Sequence, residues 1–480
     1  KAKQSKKAKT NGTVGLFDPM TLRGVTVRNR IWLPPMDTYS AVARDGKPTP
    51  FHYQHYVSRA MGGFGMIIAE ATAVTADGRI SPRDVGLWND DQVAAWHWIV
   101  DGIKQAGAVA AVQLNHAGRK GSTGCFGVGF EGKSVPEDAG GWRTVAPSPI
   151  AYRGLTDPRA LSVEEIHGLV SAFRDAAQRA VRAGFEAIEI HAAHGYLISQ
   201  FLDPLCNERA DEYGGDIHGR MRFLLEVADA IREVIPDTVP LLVRISATDW
   251  AAGGWDLDQT VDTACVLKQH GVDLMDVSTG GIIADVSIPV KANYQVPFSD
   301  QVRERAAIPT TTVGLITKPK QAEKILRAGQ ADAVEIGRAA LRDPYWPLRA
   351  AAKLGVDAVD HAVDHAGRAQ HHAAAHGVNG IFTDGLFRAF QTDGRQLRRA
   401  CRERLGREFR TGADAAADVG AVFIDGRHGR GCTHVNDDER RFKSAKCGDS
   451  GDDQVAADLG RVLHLDIKPC FDAGTDDHRR

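Results

Sequence analysis

The chain is poor in cysteine and lacks the cysteine spacings that are typical of bound metals or disulfide frameworks. Its seven cysteines are odd in number and include no CxxC pair, which argues against a disulfide framework and a clustered zinc or iron–sulfur site. No apolar run approaches the roughly 18 residues of a membrane-spanning helix. The formal net charge of -2 gives no electrostatic reason to expect binding to nucleic acid or a membrane surface. These absences predict a soluble, cytoplasmic protein.

Both ends of the 480-residue chain differ in composition from its middle. Residues 1–13 begin with the basic stretch KAKQSKKAKT, and no apolar segment follows it, so a secretory signal is not supported and a disordered arm is predicted. Residues 356–480 are rich in Ala, Arg, Asp, Gly and His and lack sustained periodicity. This composition predicts a low-complexity, poorly ordered tail. One hypothesis is that the tail is an out-of-frame translation of a GC-rich gene.

The middle of the chain alternates short apolar runs with longer amphipathic stretches. Stretches such as SVEEIHGLVSAFRDAAQRAVRAG carry apolar residues three and four apart, as helices with one buried face do. An open doubly wound sheet would show a phosphate-binding turn after its first strand, and RIWLPPMDTYS offers none. The pattern therefore predicts an α/β fold, a (β/α)8 TIM barrel over residues 14–355. The eight predicted strands are 30–35, 65–74, 108–116, 186–191, 240–246, 274–279, 309–314 and 333–338.

Polar or glycine residues stand at the end of nearly every predicted strand. Barrel enzymes gather their chemistry where the strands end at the carboxyl face of the barrel. These positions therefore predict a site and not a core. They are Asp37, Glu70, Gln113, Asn115, His116, His191, Arg244, Ser278, Thr279, Gly314, Gly337 and Arg338.

The stretch HAAHGYLISQFLDP begins at the end of the fourth predicted strand and contains His191, His194 and Tyr196. One interpretation is a pair of N–H donors that converge on one oxygen atom, with Tyr196 nearby as a proton source. A second is metal ligation by His191, His194 and a carboxylate such as Glu189, because imidazole suits zinc or iron. A third is a pair of hydrogen-bonded structural histidines. The spacing alone leaves all three open.

Two arginines, Arg244 and Arg338, end the fifth and eighth predicted strands. A cation inside a barrel mouth is costly unless it faces an anion or an electron-rich ring. Gly314 and Gly337 lie after the seventh and eighth strands, where barrels commonly hold a phosphate on backbone N–H groups. Pairing of each arginine with a barrel carboxylate is the alternative. The combination of both arginines with both glycines favours a phosphorylated cofactor.

Eight blocks of the sequence resemble, in order, those of the Old Yellow Enzyme family of FMN-dependent ene-reductases. They are RIWLPPMDTYS, AEATAV, VQLNHAGRK, IEIHAAHGYLISQFLDPLCNERADEYGG, VRISATDW, DVSTGG, VGLIT and VEIGRAALRDP. The closest likeness is to the bacterial, thermophilic-like subclass, and it runs from about residue 14 to 355. The resemblance implies an FMN-binding (β/α)8 barrel that uses NADPH or NADH as reductant.

The resemblance also implies roles for individual residues. His191 and His194 would bind the carbonyl oxygen of an α,β-unsaturated substrate, an activated alkene, and Tyr39 would contact it from the side. In the implied ping-pong reaction NAD(P)H reduces FMN, a hydride passes from flavin N5 to the β-carbon, and Tyr196 supplies the proton. No metal is implied. The implied cofactor-binding residues are Pro34, Pro35, Met36, Asp37, Ala71, Gln113, Arg244, Gly314, Gly337 and Arg338.

Three departures from the family pattern affect these expectations. Asp37 stands where the subclass usually carries a cysteine that tunes the flavin, and a carboxylate there predicts a lower redox potential. VDAVDHAVDHAGRAQ is not the family's C-terminal segment, so a homo-oligomer stays possible but the family's shared-site dimer is not expected. No CxxCxxxC run is present, which argues against relatives with an iron–sulfur cluster. A metal-dependent barrel hydrolase and a flavin-binding protein with impaired turnover are the alternative functions.

Overall fold

The protein is described here from a computed structural model, which describes residues 14–356. The predictions for the arm at 1–13 and for the tail at 357–480 lie outside these residues. Eight parallel strands form a closed barrel, so the predicted (β/α)8 fold is confirmed. The strands are β1 (Ile31–Leu33), β2 (Met66–Ala73), β3 (Val109–Asn115), β4 (Ala187–Ala192), β5 (Leu241–Ser246), β6 (Leu274–Ser278), β7 (Thr310–Thr312) and β8 (Ala333–Glu335).

Ten helices accompany the strands among the described residues. Their starts follow local sequence signals: the side chains of Asn89 and Ser162 each accept a hydrogen bond from the backbone N–H three residues on, as capping residues do. The helices are α1 (Pro50–Met61), α2 (Asp90–Gln105), α3 (Val163–Arg182), α4 (Leu197–Leu202), α5 (Ile217–Arg232), α6 (Leu257–Gln269), α7 (Val296–Ala306), α8 (Pro319–Arg327), α9 (Arg338–Arg342) and α10 (Trp346–Leu354).

The barrel closes where β8 pairs with β1, with Val334 opposite Ile31. The register of the central strands matters for the site, because it sets side chains from different strands beside one another. Arg244 on β5 lies opposite both His191 on β4 and Asp276 on β6. Neighbouring polar positions near the carboxyl end of the barrel therefore form one continuous row.

The two ends of the barrel are built differently. A short antiparallel hairpin, Met20–Leu22 with Val25–Val27, packs on apolar side chains at the amino end, including the buried Trp32 and Met66. Burying this apolar surface closes that end of the barrel. At the carboxyl end, the long connection after β3 contains a second two-stranded pairing, Val145–Ala146 with Arg159–Ala160. No helix in the described part is both long and apolar enough to cross a bilayer.

Candidate active site

A cavity of about 460 Å³ opens at the carboxyl end of the barrel, within the size range of small-molecule and cofactor sites. Seven of the ten predicted cofactor-binding residues line it, which brings together positions that lie about 300 residues apart in sequence. These seven are Pro34, Pro35, Met36, Arg244, Gly314, Gly337 and Arg338. The barrel therefore assembles most of the predicted cofactor site into one concave surface.

The cavity wall formed after β7 and β8 is suited to a phosphorylated group. Gly314 has a φ of +115°, which a residue with a side chain rarely adopts. A Cβ at Gly337 would lie 3.4 Å from Met36 Sδ, so the missing side chain keeps this wall open. Arg338 and Arg342 line the same cavity and are exposed. Glycine-flanked backbone beside two guanidinium groups fits the phosphate of FMN.

His191, His194 and Tyr196 converge at the end of β4. The rings of His191 and His194 are perpendicular with centroids 5.1 Å apart, and His191 Nε2 lies 3.4 Å from His194 Nδ1. The Tyr196 ring meets the His191 ring edge-on at 4.9 Å. Two ring nitrogens and a phenol therefore face the same small region, as the first interpretation of the motif requires.

Both histidines are neutral at neutral pH. Burial, followed for His191 by the neighbouring His194, lowers the pKa of each ring well below its usual value, and the positive charges of Arg244 and Lys120 lower it further. Burial also raises the pKa of the Tyr196 phenol well above its usual value. The group therefore offers neutral N–H and O–H donors instead of ions.

The turn that carries this group depends on backbone conformations with positive φ. His194 has a φ of 58° and Gly195 a φ of 74°, and the Gly195 position is so close to the Gly281 carbonyl that a Cβ would collide with it. Lys120 Nζ donates to the carbonyl oxygens of His194 at 2.8 Å and Gly281 at 3.0 Å. Lys120 also lies over the ring of Tyr196. Glycine and a lysine cross-link thus hold the turn against the loop after β6.

Arg244 has carboxylate partners inside the barrel, which is the alternative that the sequence left open for it. Its Nε lies 3.1 Å from Asp276 Oδ2 and its guanidinium 3.5 Å from Glu335 Oε2. A third carboxyl, Glu189, accepts a hydrogen bond from Gln113 Nε2 at 2.8 Å. Although burial lowers the pKa of Arg244, these carboxyl groups raise it above its usual value. Arg244 therefore stays charged where it borders the cavity.

Three carboxyl groups around one cation cannot all be ionised cheaply in a buried site. Oxygen atoms of Glu189, Asp276 and Glu335 lie within 4.8 Å of one another. Burial, followed by the charge of Asp276, raises the pKa of Glu189 to about 8 and that of Glu335 well above its usual value. We call Arg244 and the three carboxyls the barrel cluster. The raised pKa values favour the neutral acid forms of Glu189 and Glu335 beside the charged Arg244.

The barrel cluster also bears on the interpretation of His191 and His194 as metal ligands. Within residues 14–356, Glu189, Asp276 and Glu335 are the one group of potential ligands close enough to share an ion, and neither histidine belongs to it. The Arg244 guanidinium already supplies the positive charge among these carboxyls. The ligand set of the hydrolase alternative, His191 and His194 with Glu189, is therefore not assembled in the described structure.

Three other predicted residues, Gln113, Ala71 and Tyr39, do not line the cavity. Gln113 is occupied by Glu189, and Ala71 packs with Tyr196 in a small apolar cluster. Burial, followed by the nearby Asp37, raises the pKa of Tyr39 above its usual value. Their partners, Glu189, Tyr196 and Asp37, do not line the cavity either.

Asp37 differs from its sequence-based prediction. Burial, followed by the charges of Asp84 and Glu70, raises the pKa of Asp37 well above its usual value. This favours a neutral carboxylic acid, whereas the predicted fall in flavin potential assumed a carboxylate. Burial and the nearby carboxyl groups thus count against the negative charge expected at Asp37, and the fall in flavin potential stays a prediction.

Ser278, which was predicted as a strand-end site position, lines the cavity. Sequence reasoning missed four other residues that the barrel brings there, namely Tyr294, Gln295, Glu335 and Arg342. Glu335 had a detectable signal, since it is a polar residue inside an apolar strand. Tyr294 and Gln295 lie in the loop before α7 and show no local pattern that distinguishes them from other loop residues.

The described part of the chain is similar to known proteins along almost its full length. Residues 15–356 match the model of the NADH:flavin oxidoreductase / NADH oxidase family. An NADPH dehydrogenase from Geobacillus thermodenitrificans is 46% identical, over 71% of this chain and 95% of the relative. An NADPH dehydrogenase from Listeria welshimeri is 48% identical, again over 71% of this chain and 95% of the relative.

Solved structures give the same fold. Morphinone reductase superposes with a TM-score of 0.60 at 30% identity, covering 72% of this chain and 91% of that chain. An old yellow enzyme homologue from Zymomonas mobilis superposes with a TM-score of 0.59 at 30% identity, covering 70% of this chain and 92% of that chain. The likeness therefore includes nearly the whole of each relative.

Proposed function

Because this chain belongs to the NADH:flavin oxidoreductase / NADH oxidase family, of Old Yellow Enzyme type, and is an FMN-dependent NAD(P)H oxidoreductase, we propose that it reduces the C=C bond of α,β-unsaturated carbonyl compounds. The observation that carries the proposal is the convergence of His191 Nε2 and His194 Nδ1 at 3.4 Å. Two neutral N–H donors can hold one carbonyl oxygen between them. Such donors stabilise the negative charge that develops there when the alkene accepts a hydride, typically by a few kcal/mol each.

Tyr196 is the residue that we assign to protonation of the substrate. Its ring packs against His191 at 4.9 Å, and this contact supports the assignment of its hydroxyl to the same substrate site. Burial raises its pKa well above the usual value, which keeps the proton on the phenol until the substrate develops negative charge. Tyr196 therefore donates a proton to the α-carbon without ionising in the resting enzyme.

The residues around the cavity fit FMN. Gly314, Gly337 and Arg338 would hold its phosphate, while Pro34, Pro35 and Met36 would lie along its ring system. When bound, FMN supplies the hydride that it has received from NAD(P)H. Arg244, which stays charged and borders the same cavity, presents a fixed positive charge to the bound cofactor.

The proposal is tested with purified holoenzyme under anaerobic conditions. NADPH should bleach the yellow flavin, and 2-cyclohexenone or N-ethylmaleimide should then restore its colour while forming the saturated product, detected by mass spectrometry. A protein that bleaches but is reoxidised by no member of a panel of activated alkenes would contradict the proposal and favour a flavoprotein with impaired turnover.

A tyrosine pair provides the matched variants. Tyr196→Phe should keep FMN and bleach normally but slow reoxidation by the enone about 10²-fold or more, as expected for loss of a general acid. Tyr152→Phe is the control, because Tyr152 contacts the other side of Lys120, at 4.5 Å from Nζ, and is not in contact with His191. Equal reoxidation rates in the two variants would remove Tyr196 from the assigned role.

A further inference from the structure

A chain of hydrogen bonds leads from His194 through Ser278 to Gln295, in the loop before α7. His194 Nε2 lies 2.8 Å from Ser278 Oγ, and Ser278 Oγ lies 3.2 Å from Gln295 Oε1. The same amide oxygen accepts from Thr279 Oγ1 at 2.8 Å. Ser278 and Gln295 line the cavity, and Ser278 is buried. The hydroxyl of Ser278 thus has two possible acceptors, the Gln295 oxygen and the ring nitrogen of His194.

The backbone determines the tautomer of His191. The N–H of Ala193 donates to His191 Nδ1 at 3.2 Å, so this nitrogen carries no proton in the neutral ring. Its single proton must then be on Nε2, which points toward His194. His191 is therefore already a donor on the substrate side, and no side chain is needed to keep it so.

The tautomer of His194 has no such backbone constraint. If Ser278 donates to Gln295, its oxygen accepts from His194 Nε2–H, and His194 Nδ1 becomes an acceptor for His191. Every group is then satisfied, but the pair offers no N–H to a carbonyl oxygen. If Ser278 instead donates to His194 Nε2, the ring proton must be on Nδ1, and both histidines donate toward the same point. Gln295 keeps its hydrogen bond from Thr279 in both arrangements.

We propose that Ser278 is a positioning residue: its hydroxyl donates to His194 Nε2 in the substrate complex and so holds His194 as the Nδ1–H tautomer. This inference rests on the function proposed above, which requires two N–H donors. The change from one tautomer to the other releases a proton from Nε2 to water and takes one up on Nδ1, with no net change in protonation. The hydroxyl of Ser278 turns by rotation about a single bond.

The test uses three variants of the FMN-loaded enzyme. Ser278→Ala removes the donor to His194, Ser278→Thr retains a hydroxyl at the same position, and Thr279→Val removes the other hydroxyl that contacts Gln295. FMN content and the melting temperature of each variant report whether the fold is intact. The probe is 2-cyclohexenone bound to the oxidised enzyme, which cannot turn over without reductant.

The first measurement is ¹⁵N NMR of histidine-labelled enzyme, with the His194 signals identified by their loss in His194→Gln. Wild type and Ser278→Thr should show the Nδ1–H tautomer in the enone complex, and Ser278→Ala should lose it. Thr279→Val should keep more of this tautomer than Ser278→Ala but less than wild type, because Gln295 Oε1 then lacks its other donor and competes for the Ser278 hydroxyl. The second measurement is the rate of enone-dependent flavin reoxidation, which should fall about tenfold in Ser278→Ala, the value of one ordinary hydrogen bond in a tautomer equilibrium, and less in Thr279→Val.

The two proposals fail in different ways. If wild type is reoxidised by the enone and Ser278→Ala keeps both the Nδ1–H tautomer and the wild-type rate, the role of Ser278 is overturned and the proposed function stands. If Ser278→Ala and Thr279→Val show the same loss of the Nδ1–H tautomer and the same fall in reoxidation rate, only the intact network matters. This result also overturns the specific role of Ser278. If wild type is reoxidised by no enone, the proposed function fails first.

Discussion

Replacing Glu189 by glutamine should change how the stability of the protein depends on pH. Glu189 is buried on β4 within the barrel cluster, and burial, followed by the charge of Asp276, raises its pKa from 4.5 to about 8. An unfolded chain would release this proton near pH 4.5, whereas the folded protein keeps it until about pH 8. The contribution of Glu189 to stability is therefore complete below about pH 4.5 and is lost as the pH rises to 8.

The magnitude follows from the size of the shift. Each pKa unit corresponds to about 1.4 kcal/mol, so the loss between pH 6 and 8 is about 3 kcal/mol of unfolding free energy. Glu189→Gln imitates the protonated acid and keeps an oxygen acceptor for Gln113. After a constant offset is subtracted, the unfolding free energies of the variant and wild type should therefore agree near pH 6. At pH 8 the variant should be more stable than wild type by about 3 kcal/mol.

Urea unfolding of wild type and variant in identical buffers measures this difference. Titrating groups outside the barrel cluster occur in both proteins, so their contributions cancel when the two pH profiles are subtracted. Parallel profiles between pH 6 and 9 would refute the reasoning, because Glu189 would then have the same protonation state in the folded and unfolded protein. The neutral acid form assigned to Glu189 would be wrong in that case.

Three further substitutions test other parts of the site. Arg244→Met removes the cation of the barrel cluster and should cost roughly 3–5 kcal/mol of stability, measured by urea unfolding; a loss below 1 kcal/mol would show that the carboxyls do not depend on Arg244. Gly195→Ala introduces a Cβ against the Gly281 carbonyl at a positive φ and should lower stability by roughly 2–4 kcal/mol and slow enone reduction; wild-type values would mean that the turn adapts. Asp37→Asn should change the flavin midpoint potential, measured by spectroelectrochemistry, by less than about 30 mV, because the buried acid is already neutral; a larger rise would indicate a carboxylate at position 37.

The fold was predictable because the barrel strands are buried on both faces and most of them read as short, largely apolar runs. Predicted strand 65–74 became Met66–Ala73, and predicted strand 240–246 became Leu241–Ser246. The prediction was too long at the carboxyl ends of the shorter strands, such as 309–314 against Thr310–Thr312. There the chain leaves the barrel wall to border the cavity, and an apolar run alone does not show where pairing stops.

The site was predictable residue by residue but not in its pairings. His191, Arg244 and Gly337 could be identified as strand exits, since the carboxyl ends of barrel strands share one face. The contact of Arg244 with Glu335 joins β5 to β8 across the barrel interior, and it depends on the stagger of the closed sheet. No local sequence pattern encodes that stagger. An acidic residue within an apolar run was the one sign in the sequence that Glu335 has a charged partner.

Lys120 joins three parts of the mouth that the sequence keeps far apart. It belongs to the connection after β3, its ammonium group is hydrogen-bonded to the loops after β4 and β6, and the rings of Tyr152 and Tyr196 lie beside it. Local opening of any one of these loops must break bonds that also hold the others. In hydrogen-exchange experiments their backbone amides should consequently open as a single cooperative unit. Acylation of the Lys120 amine would remove these contacts and should therefore increase the exchange of backbone amides in all three segments together.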